Sequence, residues 1–354
     1  MAIHNRFGTP RFYIDYLGFF LTTGWRDLDN IATVKKSDGT TAVTFDAGSE
    51  ASLFDQRPTN FAQIANTNQS FYIQLDTGLG GSDAYAESNY IAILNHNFED
   101  ADCMFKVELD DSDDMSSATV VSASANHTKI FNATQATGGN SDFLTPNKNG
   151  MTLITWTTVE SDNRYLRITF KDTGGATANF NEDVIIGSVM WGEFFDMPNA
   201  PDLDIKTEVE FDGVKKEKSL GGHTYTTSTF LGNPTWNKTL PFNISSTSGQ
   251  QGRYFQQRNG RLKHSMNFSF LSDTNVFSED MHSETLSEWY DTLTLHNSFY
   301  NKVLGSQLPF LFTIDKDSLA EGSYGLFRLT DKGLIASQVS NRLYNVAINI
   351  EETW

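Results

Sequence analysis

Short apolar runs alternating with polar residues dominate the first half of the chain. Leu166, Ile168 and Phe170 alternate with Arg167, Thr169 and Lys171, and a period of two places the apolar set on one buried face of a strand. Residues 71–76, 90–94, 104–109, 153–159 and 184–191 are further short runs rich in β-branched and aromatic residues. Clusters of Gly, Asn, Asp and Ser separate them, as strand boundaries require. Residues 110–150 break the pattern, being rich in Ser, Thr, Asn, Asp and Gly. They are expected to form a long exposed excursion, with short strands at 119–121 and 129–131.

The second half opens on another alternation. Ile205, Thr207, Val209 and Phe211 face one way, and Lys206, Glu208 and Glu210 the other, before a turn at Asp212 and Gly213. Residues 266–271, 309–314, 325–330 and 344–350 read as strands. One segment carries a helical period: Leu286, Trp289, Tyr290 and Leu293 fall at i, i+3, i+4 and i+7. Ser283 is its expected N-cap and Gly305 its stop, so a helix is predicted over about 283–304. Pro198 and Pro201 stiffen the segment between the halves. The expectation is an all-β chain of two domains. Residues 1–198 form a jelly-roll β-sandwich with the polar excursion at 110–150, and residues 199–354 form a β-sandwich or barrel carrying one amphipathic helix.

Composition narrows the function. The 354 residues include 26 Lys and Arg against 44 Asp and Glu, a net charge of −18. Such a chain repels phosphate backbones and anionic lipid heads, so neither nucleic acid nor a membrane is an expected partner. The densest basic run, Lys215, Lys216 and Lys218, is interrupted by Glu217. With 38% hydrophobic and 13% aromatic residues, the chain has enough apolar mass for a packed core. No run of eighteen apolar residues and no secretory pattern at the N-terminus is found. Synthesis in the cytoplasm without a signal peptide is the expectation.

Motifs for catalysis are missing from the sequence. It contains no dinucleotide or Walker A fingerprint, no Gly-x-Ser-x-Gly elbow and no His-Glu-x-x-His pair. The single cysteine, Cys103, has Asp100, Asp102 and Asp110 nearby in sequence, and negative charge disfavours a thiolate nucleophile. Asp110, Asp111, Asp113 and Asp114 form the densest acidic cluster and are weak candidates for calcium, against the plainer reading of a solvated acidic turn. No cofactor is expected. A glycan-degrading enzyme needs two facing carboxylates, which 44 acidic residues neither exclude nor single out.

The order of residues 71–78, 90–98 and 104–114, followed by 164–170 and 186–195, resembles discoidin-like (galactose-binding-like) jelly-rolls in structural proteins of tailed bacteriophages. The helix containing Trp289 and Tyr290, the strand from Leu308 and the closing strand from Tyr344 are similar to distal-tail-type proteins. The resemblance implies a non-enzymatic virion component in a tail or baseplate ring, with copies of itself and other tail proteins as partners. Tyr225, Tyr254, Phe255 and Trp354 are then the expected assembly contacts. Because discoidin-like folds also serve as carbohydrate-binding modules, the alternative is a receptor-recognition module for a host-surface glycan. Its expected contacts are Trp25, Asn95, His96, Asn97 and Trp156, with the aromatic rings stacking on sugar. Fold alone does not decide between the two.

Overall fold

The structure is a computed structural model that describes residues 7–78, 88–157, 164–210, 214–228, 261–277, 294–319 and 323–353. It is an all-β architecture of packed antiparallel sheets. Among the described residues the largest sheet has eleven strands. From one edge they run Lys206–Glu210, Arg261–Ser272, Leu343–Glu352, Tyr324–Leu329, Phe310–Thr313, Arg11–Asp15, Ser188–Asp196, Tyr90–His96, Gly150–Trp156 and His127–Phe131, with Ala336–Ser340 branching beside Leu343–Glu352. A seven-stranded sheet packs against it, ordered Ala133–Gln135, Leu144–Pro146, Cys103–Asp110, Tyr165–Asp172, Phe71–Asp76 and Ala32–Lys36, with Thr119–Val120 on the side.

The alternations explain the layering. Phe71, Ile73, Leu75, Leu166, Ile168 and Phe170 point inward from the smaller sheet, and the rings of Phe71 and Phe170 stack with centroids 4.7 Å apart. Ile91, Ile93, Ile154, Val189 and Trp191 meet them from the larger sheet. Tyr90–His96 and Gly150–Trp156 are buried at every position, which is why both are near-continuous apolar runs. Their second face joins Tyr13, Met190, Leu311 and Leu326 in another core on the reverse of the large sheet.

Arg11–Asp15 joins the halves. It pairs antiparallel with Ser188–Asp196 on one side and with Phe310–Thr313 on the other. The expected boundary at 198/199 therefore falls on a chain segment over which the sheet itself is continuous. Asp15 ends this strand and caps the helix Tyr16–Thr23, accepting from the backbone N–H groups of Leu17 and Gly18.

Two sequence expectations change. Residues 110–150 are built into the sheets through Thr119–Val120, His127–Phe131, Ala133–Gln135 and Leu144–Pro146, because Val121, Phe131 and Leu144 anchor them in the cores. The run at 184–191 is two strands, Val184–Ile186 and Ser188–Asp196, in different sheets. Gly187 permits the switch, since a Cβ there would lie 2.4 Å from the Pro58 carbonyl oxygen. Of the helix expected over 283–304, Ser283, Leu286, Trp289, Tyr290 and Leu293 lie outside the described residues. Helical turns run Leu295–Asn301 behind a Thr294 cap, and Gly305, at φ 64°, ends the segment with its N–H donating to Tyr300 O.

Candidate functional site

Strand directions divide the sandwich into two ends. Asp76, Asn89, Asp110, Trp156 and Tyr165 lie at one, which also holds Trp25. His96, Cys103, Gly150 and Asp172 lie at the other.

This separates the expected glycan contacts. Asn95, His96 and Asn97 occupy the far end and are buried. Asn95 Nδ2 donates to Pro58 O at 2.6 Å, and His96 Nε2 pairs with Thr152 Oγ1 at 2.9 Å. Asn97 Nδ2 donates to Glu182 Oε1 and Asp183 O, while its Oδ1 accepts from Ile185 N. These side chains lock a tight turn, which corrects their assignment as ligand contacts. Burial pushes the His96 imidazole down to about 3, so it is neutral in the fold. Trp25 is half-exposed at the near end, its Nε1 donating to Thr77 O at 3.3 Å. Beside it Arg164 grips Asp76 bidentately at 2.6 and 2.8 Å.

Trp156 lines a groove of about 650 Å³ at the near end of the large sheet. Asn89, Arg11, Glu193, Phe194, Phe195 and Asp196 line it with Trp156. Each is placed by a strand terminus. Asn89 precedes Tyr90–His96, and its Oδ1 accepts from Phe194 N at 2.9 Å. Its Nδ2 is left without a hydrogen-bond partner among the described residues. Glu193 Oε2 accepts from Tyr16 Oη at 2.9 Å and from Lys302 Nζ at 3.1 Å, while its Oε1 has no such partner. Arg11 lies 3.6 Å above the centroid of Phe194 and pairs with Asp196 through two bonds of 2.5 and 2.9 Å. Lys316 Nζ stands 3.5 Å from Asp196 Oδ2. Trp156 presents little surface, being held by a 2.7 Å bond from Nε1 to Ser88 O.

The groove thus sets the Phe194 ring beside the polar groups of Arg11, Asn89, Glu193 and Asp196, with Asn89 Nδ2 and Glu193 Oε1 left unpaired among the described residues. Its volume is in the range of small-molecule sites. Sequence reading found Trp156 but not Arg11, Asn89, Glu193 or Asp196. Only the alternation of charge with aromatic residues in 193–196 hints at a strand end with a polar side.

The other expected residues are elsewhere. Asp110 accepts from Ser112 N and Ser117 N, and Asp114 from Ser116 N, so both carboxylates shape their own loop. Asp111 and Asp113 are exposed in that loop. No group of three or more possible metal ligands occurs among the described residues. Cys103 is buried, and burial together with Asp172 drives its thiol pKa up, away from nucleophile chemistry. Tyr225 is exposed on a hairpin. Tyr254, Phe255 and Trp354 lie outside the described residues. No helix among the described residues is long and apolar enough to cross a membrane.

No protein-family model matches the chain, and no curated protein matches it. Solved structures do show likeness. Chitosan-binding module 1 from a chitosanase/glucanase of Paenibacillus sp. IK-5 is 13% identical, with 51% of this chain and 98% of that module covered at a TM-score of 0.30. CBM32-1 from a family 31 glycoside hydrolase of Clostridium perfringens is 10% identical, with 47% and 99% covered at a TM-score of 0.29. A further Clostridium perfringens module, CpGH89CBM32-4, solved with GlcNAc-α-1,4-galactose, is 12% identical, with 46% and 90% covered at a TM-score of 0.28. Likeness at these scores defines neither a site nor a ligand for this chain.

Proposed function

We propose that this chain is a non-catalytic carbohydrate-binding protein whose saccharide lies in the groove of Arg11, Asn89, Trp156, Glu193, Phe194 and Asp196. The observation that carries the reading is that one groove is lined by an uncommitted amide donor, Asn89 Nδ2, an uncommitted carboxylate acceptor, Glu193 Oε1, and the Phe194 ring. Sugar hydroxyls donate and accept at once, and pyranose C–H faces pack on aromatic surface. Both carboxylates of the groove sit in ion pairs, Glu193 with Lys302 and Asp196 with Arg11, an arrangement suited to accepting hydrogen bonds. The test is calorimetric titration against a panel of neutral, amino and acidic saccharides. Asn89→Asp keeps the acceptor for Phe194 N and deletes the open donor. It should weaken binding about tenfold or more while thermal unfolding stays cooperative. Trp25→Ala should leave affinity unchanged. No binding across the panel, or loss only in Trp25→Ala, contradicts the reading.

A structural role in a tailed-phage virion, as a tail or baseplate ring subunit, is a second reading. It is favoured by one observation, the hairpin Val214–Lys218 and Thr224–Ser228 in the second half, whose residues 215–218 and 224–227 are exposed. Electron microscopy of purified protein for discrete rings tests it. A dispersed monomer at every protein concentration counts against it.

A further inference from the structure

Among the described residues the hairpin Val214–Lys218 and Thr224–Ser228 is a two-stranded sheet of its own. Residues 215–227 are exposed on both faces of the pleat, apart from the half-buried Ser219 in the turn. Its turn is well made: Gly222 N donates to Ser219 O at 2.9 Å, and His223 N to Ser219 Oγ at 3.1 Å. An isolated two-stranded hairpin is marginal in water, because neither face buries apolar surface. Such an element persists as designed when something covers it.

Its chemistry points to the cover. The register sets Lys216 opposite Thr226 and Lys218 opposite Thr224, so two lysines and two hydroxyls sit together on one face, which the Val214–Ser228 pair continues. The other face carries Lys215, Thr227, Glu217 and Tyr225, with His223 edge-on to Tyr225 at 4.7 Å between ring centroids. Leu220 stands fully exposed at the tip. This cationic projection belongs to a chain of net charge −18. At the far end of the sandwich, Glu99, Asp100, Asp102 and Glu182 are exposed together, tied by Asn97 Nδ2 to Glu182 at 2.8 Å and by Asn181 N to Ala101 O at 3.2 Å. Among the described residues no Lys or Arg pairs with any of the four. Both surfaces are exposed, so they do not meet within one chain.

We infer that the Lys216–Lys218 face of the hairpin docks on the acidic far end of a second copy of this chain. The two surfaces differ, so the contact is heterologous, and repetition gives a closed ring or an open filament. The contact is ionic and near the surface, so added salt weakens it. This inference is independent of the glycan groove, which lies at the opposite end of the sandwich. Its readout is mass, whereas that of the groove is sugar affinity.

The experiment is sedimentation velocity on the full chain at low and high salt. The expected result is concentration-dependent association at low salt, weakened about tenfold or more by Lys216→Glu with Lys218→Glu. A second variant, Glu99→Lys with Asp100→Lys, should weaken it equally, since neither side chain holds a fold contact. Mixing the two variants should restore association, because the glutamates of one then meet the lysines of the other. Wild-type protein that stays monomeric at low salt, association unchanged in both variants, or weakened variants that fail to rescue each other on mixing, overturns the inference.

Discussion

Lys302 reaches the interior at 1% side-chain exposure, where its Nζ meets Tyr16 Oη at 2.7 Å and Glu193 Oε2 at 3.1 Å. The three residues come from the first helix, a central strand and the segment after Leu295–Asn301. Lys302→Met strands the Glu193 carboxylate and should cost about 3–5 kcal/mol in urea denaturation. A loss below 1 kcal/mol would mean that the pair holds nothing together. His96 makes a pH prediction. Its folded pKa is depressed from 6.5 to about 3 by burial, so the unfolded chain takes up a proton first as pH falls. That stability is complete above pH 6.5 and drains away toward pH 3, by about 2–3 kcal/mol between pH 6.5 and 4.5. His264, depressed to about 4, acts in the same sense. Asp15, raised by burial from 3.8 to about 6, has the opposite sign: its contribution is present below 3.8 and is lost as pH rises through 6. Denaturation at pH 7 and pH 4.5 should therefore show a smaller acid loss in His96→Gln than in wild type. An equal loss would assign the acid sensitivity to other groups.

At the scale of elements, the strands with a clear apolar run or period were legible, strands such as Arg11–Asp15 and Ala32–Lys36 went unread, and no strand's partner could be read. Leu166, Ile168 and Phe170 announce a half-buried strand because a period of two has one structural meaning. The apolar runs at 90–94 and 153–159 likewise announce strands, and the structure shows that Tyr90–His96 and Gly150–Trp156 are covered on both faces. Nothing local tells Arg11–Asp15 that it must pair with residues 188–196 and 310–313, since register is decided by contacts hundreds of residues apart. The groove was illegible for the same reason. Arg11, Glu193 and Asp196 look like ordinary surface charges until three strand ends converge on Asn89, and only the bulk of Trp156 drew attention beforehand. Asn95, His96 and Asn97 misled because a polar tripeptide after an apolar strand looks like an exposed loop. Here its hydrogen bonds are spent inward. Gly192 tests the central pairing. A Cβ there would lie 2.2 Å from Ile14 O and 3.0 Å from the Tyr16 ring. Gly192→Ala should destabilise by about 1–3 kcal/mol in urea denaturation, and a neutral result would mean that the strands separate easily at this point.

For the whole molecule, a sheet shared by both halves implies shared stability. The core residues of the first half, such as Phe12 and Ile14, belong to one cluster with Phe310, Phe312 and Ile348. Thermal unfolding followed by tryptophan fluorescence and by far-ultraviolet circular dichroism should give coincident single transitions. Two separated transitions would show that the halves keep independent cores despite their common sheet. The proposed saccharide groove and the proposed docking face of the hairpin involve different residues, so each can be altered without touching the other.

The groove is the centre of this account, and a crystal structure with the tightest saccharide from the panel tests it most directly. The expected result is sugar against the Phe194 ring at the strand ends, with hydroxyls on Asn89 Nδ2 and Glu193 Oε1. Sugar seated instead beside Trp25, or on any surface that leaves Asn89 untouched, would contradict it.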